Sequence, residues 1–195
     1  MLNSISRHLP NIVSSIRILM APILLYLAIN GLPISFILLL IFTELTDVLD
    51  GYLARRMNLV SELGAQLDSW GDFFVYITMA ISAWLLWPDI VMRELVYVII
   101  MIACFTLPVI IGLIKFKTWT SYHTLSVKVA VAISVIAYVL LFTGLLDWPL
   151  KVAIIFSLYA ALEQILITLI CHKGRHVDVK SIWHALKEKK PEMPL

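Results

Sequence analysis

The stretch Asp47–Asp72, DVLDGYLARRMNLVSELGAQLDSWGD, decides how this chain folds, because it concentrates acidic residues in a largely apolar sequence. The 195 residues include only 13 acidic ones, and four of these are the aspartates of this stretch, Asp47, Asp50, Asp68 and Asp72. The first two are three residues apart and the last two are four apart, so each pair lies on one face of a helix. The polar run Arg55–Asn58 separates the pairs. The stretch therefore predicts a helical hairpin with two carboxylates on each arm.

These four carboxylates need a compensating charge. Carboxylates that are close together and buried repel one another and take up protons unless a cation is near. Mg2+ and Mn2+ prefer oxygen ligands, and Mg2+ often binds carboxylates and substrate phosphates together. The aspartates therefore predict a metal-assisted reaction on a phosphate or pyrophosphate. Helix-capping aspartates at the surface are the alternative, but Asp47 and Asp50 follow the apolar run Ile34–Phe42 without a turn, and acids inside a membrane usually serve function.

The spacing D-x2-D-G-x2-A-R-x8-G-x3-D-x3-D resembles the signature of the CDP-alcohol phosphotransferase family. All eight positions of the signature are present: Asp47, Asp50, Gly51, Ala54, Arg55, Gly64, Asp68 and Asp72. The length and layout of the rest of the chain are similar to the six-helix membrane domain of that family. The resemblance implies transfer of a phosphatidyl group from CDP-diacylglycerol to the hydroxyl of a small alcohol, with release of CMP. It also implies a homodimer.

The same resemblance implies a role for individual residues. The four aspartates would hold one or two Mg2+ or Mn2+ ions, and Asp72 would also take the proton of the acceptor hydroxyl as a general base. Six residues would contact the CDP-lipid: Gly51, Ala54, Arg55, Ser61, Gly64 and Asn11. The planar fork of an arginine such as Arg55 suits phosphate oxygens, and the small side chains would let the nucleotide lie against the helix backbone.

Composition indicates an all-α protein with several membrane spans. Hydrophobic residues make up 61% of the chain, charged residues 14%, and the mean hydropathy is +0.94, well above the values of soluble proteins. The apolar runs predict six transmembrane helices, roughly at residues 11–30, 34–57, 61–87, 91–116, 125–146 and 150–171. They form one membrane domain over residues 1–172, which begins with a short surface segment, Met1–His8. A polar cytoplasmic tail follows over residues 173–195.

The distribution of basic residues predicts the orientation. Six spans place both termini on one side, where most Lys and Arg residues lie, so that side is cytoplasmic. Five helices carry an ionisable group roughly 10–12 Å from this side: Arg17, Asp47, Asp68, Lys128 and Glu163. We expect this layer to form the floor of a water-filled cup that opens to the cytoplasm. If the source is bacterial, the membrane is the inner or plasma membrane.

Several basic residues are candidates for binding a phosphate on the acceptor. Lys128 and Arg17 come first, with Lys115 or Lys117 as alternatives. A snorkelling side chain is the other interpretation of Lys128. Arg17 is equally suited to be the partner of a carboxylate. For Glu163, a hydrogen bond to a neighbouring helix is the favoured interpretation.

The identity of the acceptor stays open between several alcohols. The segments LPNIVSSIRILMAP at residues 9–22 and DGYLARR at residues 50–56 look most like those of phosphatidylglycerophosphate synthases, which use glycerol 3-phosphate. Ser69 stands where those enzymes often have proline, and it is more similar to phosphatidylserine synthases. Glycerol 3-phosphate is therefore the first prediction, with serine and inositol phosphate as alternatives.

Two other classes of protein compete with an enzyme. Acidic residues in a helical bundle also suit a divalent-cation transporter, but that class explains neither Gly51, Ala54, Arg55 and Gly64 nor the confinement of the aspartates to two consecutive helices. A structural membrane subunit explains none of the acids. The net charge of +2 is small, and no nucleic acid partner is expected.

Overall fold

The computed structural model describes residues 17–56, 62–117 and 124–170, and within 47–56 and 62–69 it describes the backbone alone. All regular secondary structure in these ranges is helical, which confirms the predicted all-α class. The helices are α1 (Arg17–Ile29), α2 (Pro33–Arg56), α3 (Glu62–Leu86), α4 (Pro88–Arg93), α5 (Leu95–Phe116), α6 (Leu125–Phe142) and α7 (Trp148–Ile170). The predicted N-terminal surface segment, Asn11, Ser61 and the C-terminal tail lie outside the described residues.

Three of these helices, α5, α6 and α7, are long and apolar enough to cross a membrane. Shorter apolar segments occupy Arg17–Ile29, Pro33–Thr46 and Trp70–Leu86. Large apolar side chains also lie at the surface, for example Ile34 with 76% exposure and Ile114 with 74%. Water penalises such exposure, whereas lipid tails do not. The chain therefore has the helices and the surface of an integral membrane protein.

The chain divides into two compact units, residues 1–91 and 92–195. In the first unit, the buried residues of α1 recur at helical spacing: Arg17, Ala21, Leu24 and Ala28. The buried residues of α2 and α3 do the same: Phe36, Ile37, Leu40, Thr43, Val75, Thr78, Met79, Ser82 and Ala83. Each helix therefore buries one stripe of mostly apolar side chains. Arg17 is the exception, because it is a charged residue on the buried stripe of α1.

A tight turn at Gly31 connects α1 to α2. Gly31 has a φ angle of +64°, a value that glycine adopts without steric cost. The N–H of Gly31 donates to the carbonyl of Ala28, and the N–H of Leu32 donates to the carbonyl of Leu27. This arrangement ends α1 in the way common for helices with a glycine after the last turn. Pro33 then starts α2, where its missing N–H is not needed.

In the second unit, α7 packs against both α5 and α6. Small residues on the buried stripes permit close approach of the helices: Cys104, Gly112, Ala130, Ala137, Ala153, Ser157, Ala160 and Ala161. Ser134 Oγ of α6 lies 3.2 Å from Ser157 Oγ of α7, and both hydroxyls approach the sulfur of Met101 in α5. Polar contacts of this kind bind helices together inside a membrane.

The predicted fourth and fifth spans need correction at their ends. A separate short helix, α4, takes residues 88–93, so α5 begins at Leu95 rather than at Val91. Pro88 supplies a favourable first position, and Asp89 and Arg93 complement the dipole of this short helix. The fifth span ends at Phe142 rather than at Leu146, because Gly144 takes a φ angle of +73° and turns the chain.

An exposed charged cluster joins the start of α5 to the turn before α7. Arg93 contacts Glu94 at 2.9 Å and Asp147 at 3.1 Å. The hydrogen bond to Glu94, and then the charge of Asp147, raise the pKa of the Arg93 guanidinium above its ordinary value. Arg93 therefore remains charged at any physiological pH, although solvent screening makes such surface pairs weak.

Lys115 at the end of α5 binds the end of α7. Its Nζ donates to the carbonyls of Thr168 and Leu169 at 2.8 and 2.9 Å. The last carbonyls of a helix have no partner within the helix, and a positive charge there is favourable.

Replacing Lys115 by methionine should therefore destabilise the second unit. We expect a loss of about 1 kcal/mol, from two hydrogen bonds made by a charge at a helix end. Thermal unfolding of the purified protein in detergent measures this loss. Lys151→Met is the control, because the described contact of Lys151 is only a ring contact, 5.8 Å from the centre of Tyr97. Equal falls in Tm for the two variants would contradict the assignment.

Candidate active site

The structure confirms that the acidic stretch lies on two consecutive helices, and residues 57–61, which connect them, lie outside the described residues. Asp47 and Asp50 lie in α2, which ends at Arg56, and Asp68 and Asp72 lie in α3, which begins at Glu62. Four more signature residues lie on the same two helices: Gly51, Ala54, Arg55 and Gly64. Of all eight, Asp72 alone belongs to the side chains that the structure describes. The positions of the other seven side chains stay predictions.

Asp72 forms an ion pair with Arg17 of α1. Arg17 Nη1 donates to Asp72 Oδ1, across 55 residues of sequence. The side chain of Arg17 is 5% exposed and that of Asp72 is 31% exposed. A buried guanidinium is costly unless an anion compensates it. The pair therefore explains how a charged residue can occupy the buried stripe of α1.

This ion pair supports one of the two interpretations of Arg17. The sequence left a carboxylate partner and an acceptor phosphate equally open, and the structure supplies the carboxylate, on the last aspartate of the signature. The contact orients Oδ1 of Asp72 toward α1. Both helices belong to the first unit, so the ion pair connects α1 to α3 within that unit.

An aromatic cluster lies next to Asp72 on α3. Trp70 stacks on Phe74 with ring centres 6.0 Å apart, and Phe73 meets both rings edge-on. Trp70 and Phe74 are 40% and 42% exposed, one turn apart on the helix. The face of α3 that carries these rings is apolar and outward, whereas Asp72 contacts α1. None of these three rings was among the predicted site residues, although the W-x2-F-F spacing is a signal for such a cluster.

The second unit holds the other candidates, at the start of α6 and on α7. Lys128 is exposed and lies on the first turn of α6, where its N–H donates to the carbonyl of Thr124 at 3.2 Å. Ser126 Oγ donates to Glu163 Oε2 of α7. The hydrogen bond expected for Glu163 to a neighbouring helix is thus present. It places Glu163 level with the first turn of α6, as their predicted depths require. The layer of five ionisable groups involves both units and stays a prediction.

The alternative phosphate ligands differ in their surroundings. The ammonium group of Lys115 donates hydrogen bonds to two carbonyls of α7. Lys117 follows α5 with a φ angle of +55° and closes that helix with its own N–H. Lys128 forms no salt bridge within the described part of the chain. Lys115 is therefore less suited than Lys128 to receive an external anion, whereas the backbone contact of Lys117 does not engage its ammonium group.

The donor chemistry of the signature fits Mg2+ or Mn2+. Four aspartates on consecutive helices offer only oxygen atoms, which are the ligands these ions prefer. Within the described side chains there is no group of three or more possible ligands. Three of the four aspartate side chains lie outside that part, so the metal site itself stays a prediction.

Fold and site together define an all-helical membrane protein with a signature of paired aspartates on two consecutive helices. A model of the family described as CDP-alcohol phosphatidyltransferase matches residues 7–171. The chain therefore belongs to the CDP-alcohol phosphatidyltransferase family.

Individual relatives match over shorter segments. The chain is 34% identical over 65 residues to a CDP-diacylglycerol–glycerol-3-phosphate 3-phosphatidyltransferase of Aquifex aeolicus, which is 33% of this chain and 36% of the relative. It is 38% identical over 71 residues to the enzyme of the same name from Rickettsia prowazekii, covering 35% and 39%. A fusion protein of Schizosaccharomyces pombe, named cardiolipin synthase (CMP-forming) / mitochondrial hydrolase, is 36% identical over 64 residues, covering 33% and 11%. The matches to the first two span little more than a third of the relatives' length. No solved structure matches significantly.

Proposed function

We propose that this protein transfers the phosphatidyl group of CDP-diacylglycerol to glycerol 3-phosphate and releases CMP. Family membership and the complete signature support the reaction, and the names of the Aquifex and Rickettsia relatives support this acceptor. The observation that carries the proposal is the ion pair between Arg17 and Asp72, since it holds the last signature carboxylate in one orientation. Serine and inositol phosphate remain the alternative acceptors.

The proposed step forms one bond and breaks one. The hydroxyl oxygen of the acceptor attacks the phosphorus that carries diacylglycerol, and the bond from that phosphorus to CMP breaks. Asp72 takes the proton of the hydroxyl as general base. Arg17 holds the Asp72 side chain in one rotamer, so the carboxylate is already oriented when the proton is transferred.

The remaining signature residues bind and orient the donor. Asp47, Asp50, Asp68 and Asp72 would hold one or two Mg2+ or Mn2+ ions, which would supply positive charge next to the pyrophosphate of the donor. Arg55 binds a phosphate of the donor with its planar fork. The small residues leave room for the nucleotide along α2 and α3, and Ser61 and Asn11 contact it.

Lys128 binds the phosphate of the acceptor. It is exposed on the first turn of α6 and forms no described salt bridge, so an incoming phosphate does not have to displace a carboxylate. Arg17 is the second candidate, but its guanidinium already contacts Asp72. A serine acceptor has no phosphate, and for it Lys128 would matter less.

We also propose six membrane spans, with both termini and the active site on the cytoplasmic side. The three long apolar helices and the three shorter apolar segments support this number. The excess of Lys and Arg at one set of helix ends supports the orientation. The family resemblance supports a homodimer.

Release of CMP by the purified protein tests the reaction. With CDP-diacylglycerol and Mg2+ or Mn2+, we expect release that depends on glycerol 3-phosphate and stops when a chelator removes the metal. Serine and inositol phosphate, added separately, test the alternative acceptors. Release that requires one of them instead would replace glycerol 3-phosphate and leave the reaction class intact. No release with any acceptor, together with metal-dependent ion flux in vesicles, would favour the transporter.

A further inference from the structure

Glu163 of α7 is the end of a chain of hydrogen bonds that begins at the first turn of α6. Glu163 Oε2 accepts from Ser126 Oγ, and Ser126 Oγ lies 2.8 Å from Thr124 Oγ1. Thr124 Oγ1 accepts from the N–H of Val127 at 3.4 Å, so Thr124 is the N-cap of α6. Thr124 is fully buried. One carboxylate on α7 thus holds the hydroxyls that shape the start of α6.

That start of α6 also carries Lys128. The carbonyl of Thr124 accepts from the N–H of Lys128, which makes Lys128 part of the turn that the hydrogen bonds stabilise. Glu163 contacts Ser126 rather than Lys128, so the carboxylate fixes the turn without neutralising the lysine. A carboxylate within a membrane-spanning helix is costly and is commonly linked to function.

The end of α7 anchors a second point close in sequence to this turn. Lys115, on the last turn of α5, donates to the carbonyls of Thr168 and Leu169. Both ends of the connection between α5 and α6 are therefore attached to the same part of α7, within two turns. This part of α7 therefore contacts both the last turn of α5 and the turn of α6 that carries Lys128.

We propose that Glu163 is a positioning residue for acceptor binding, acting through Ser126 and Thr124 on the turn that presents Lys128. Its role depends on the proposed function, because it presupposes an acceptor that carries a phosphate. In this role Glu163 acts through Ser126 and not on a reacting atom. Its removal should weaken binding of the acceptor and leave binding of CDP-diacylglycerol unchanged.

The chain offers a matched control for this test. Ser134 on α6 also makes a hydroxyl contact to α7, at 3.2 Å from Ser157, but lies two turns beyond Ser126 and outside the first turn. Ser126→Ala and Ser134→Ala therefore remove the same chemical group from the same pair of helices. If the contacts only hold helices together, the two variants should behave alike.

The experiment measures kcat and the KM of each substrate. For Glu163→Ala and Ser126→Ala we expect the KM of glycerol 3-phosphate to rise roughly 10-fold, the effect of losing one hydrogen bond to a charged group. The KM of CDP-diacylglycerol and the values of Ser134→Ala should stay within about twofold. Glu163→Gln keeps an accepting oxygen and should retain most of the affinity. The double variant should be little worse than either single one, because both act on one contact.

A binding measurement separates this idea from the proposed function. Glycerol 3-phosphate should raise the Tm of the wild-type protein and of Ser134→Ala, and should raise that of Ser126→Ala much less. Wild-type protein that shows neither turnover nor a Tm shift with glycerol 3-phosphate would overturn both proposals. An active wild type whose variants share one acceptor KM, or lose affinity for both substrates equally, would overturn the positioning role alone. Ser126→Ala, which removes a single hydroxyl, keeps the test decisive if Glu163→Ala fails to fold.

Discussion

Asp72→Asn should lower the rate of CMP release by roughly 10²- to 10⁴-fold, the range that one general base contributes to an enzyme reaction. Asparagine has nearly the same shape and keeps an oxygen that can accept from Arg17, but it cannot take a proton from the acceptor hydroxyl. The KM of CDP-diacylglycerol should change less than kcat. The measurement is the steady-state rate with saturating metal and both substrates.

Asp89→Asn is the control for this loss. Asp89 is an exposed aspartate at the start of α4. Its replacement by asparagine removes the same charge at a position outside the signature. It should keep wild-type activity. If Asp72→Asn retained more than about a tenth of the rate, or lost it only through unfolding at the assay temperature, Asp72 would not be the base.

Arg17→Ala should strongly lower the stability of the first unit. Breaking a buried ion pair from one side costs about 3–5 kcal/mol, because the remaining charge stays without compensation. Since the side chain of Asp72 is 31% exposed, solvent relieves part of this cost, and we expect about 2–3 kcal/mol. For a chain of this length the Tm should fall by roughly 4–12 °C. Thermal unfolding in detergent gives this value.

Two variants sharpen this prediction. Arg17→Lys keeps the charge but loses the fork of the guanidinium, and should recover part of the stability. Arg93→Ala removes the exposed pair with Asp147, in which both side chains are more than half exposed, and should cost much less. A fall in Tm for Arg17→Ala no greater than that for Arg93→Ala would show that Asp72 does not depend on Arg17.

These two predictions separate the roles of one ion pair. Asp72→Asn should remove the chemistry and also lower stability, because the buried guanidinium of Arg17 keeps an acceptor but loses its compensating charge. Arg17→Ala should loosen α1 from α3 and reduce activity as a consequence. If the order were reversed, with Arg17→Ala stable but inactive, Arg17 would bind the acceptor phosphate rather than serve Asp72.

Much of the architecture follows from local patterns in the sequence. Apolar runs of about 20 residues predict the long helices, because such runs satisfy their backbone only as helices in lipid. Gly31 with Pro33 predicts the first turn, since positive φ and a missing N–H are local properties. The ends of the fourth and fifth spans were wrong, because α4 and the turn at Gly144 interrupt stretches whose hydropathy stays favourable.

Part of the candidate site also follows from the sequence, and the rest depends on tertiary packing. The sequence by itself determined the helices that carry the four aspartates, since their spacing and the break at Arg55–Asn58 are features of a single segment. Only the tertiary structure decided that Arg17 pairs with Asp72 and that Ser126 binds Glu163, contacts that span 55 and 37 residues. From the sequence alone, several acidic side chains are equally suitable partners for a buried charge such as that of Arg17. Packing selects among them, because helix registry decides which oxygens come within reach of each donor.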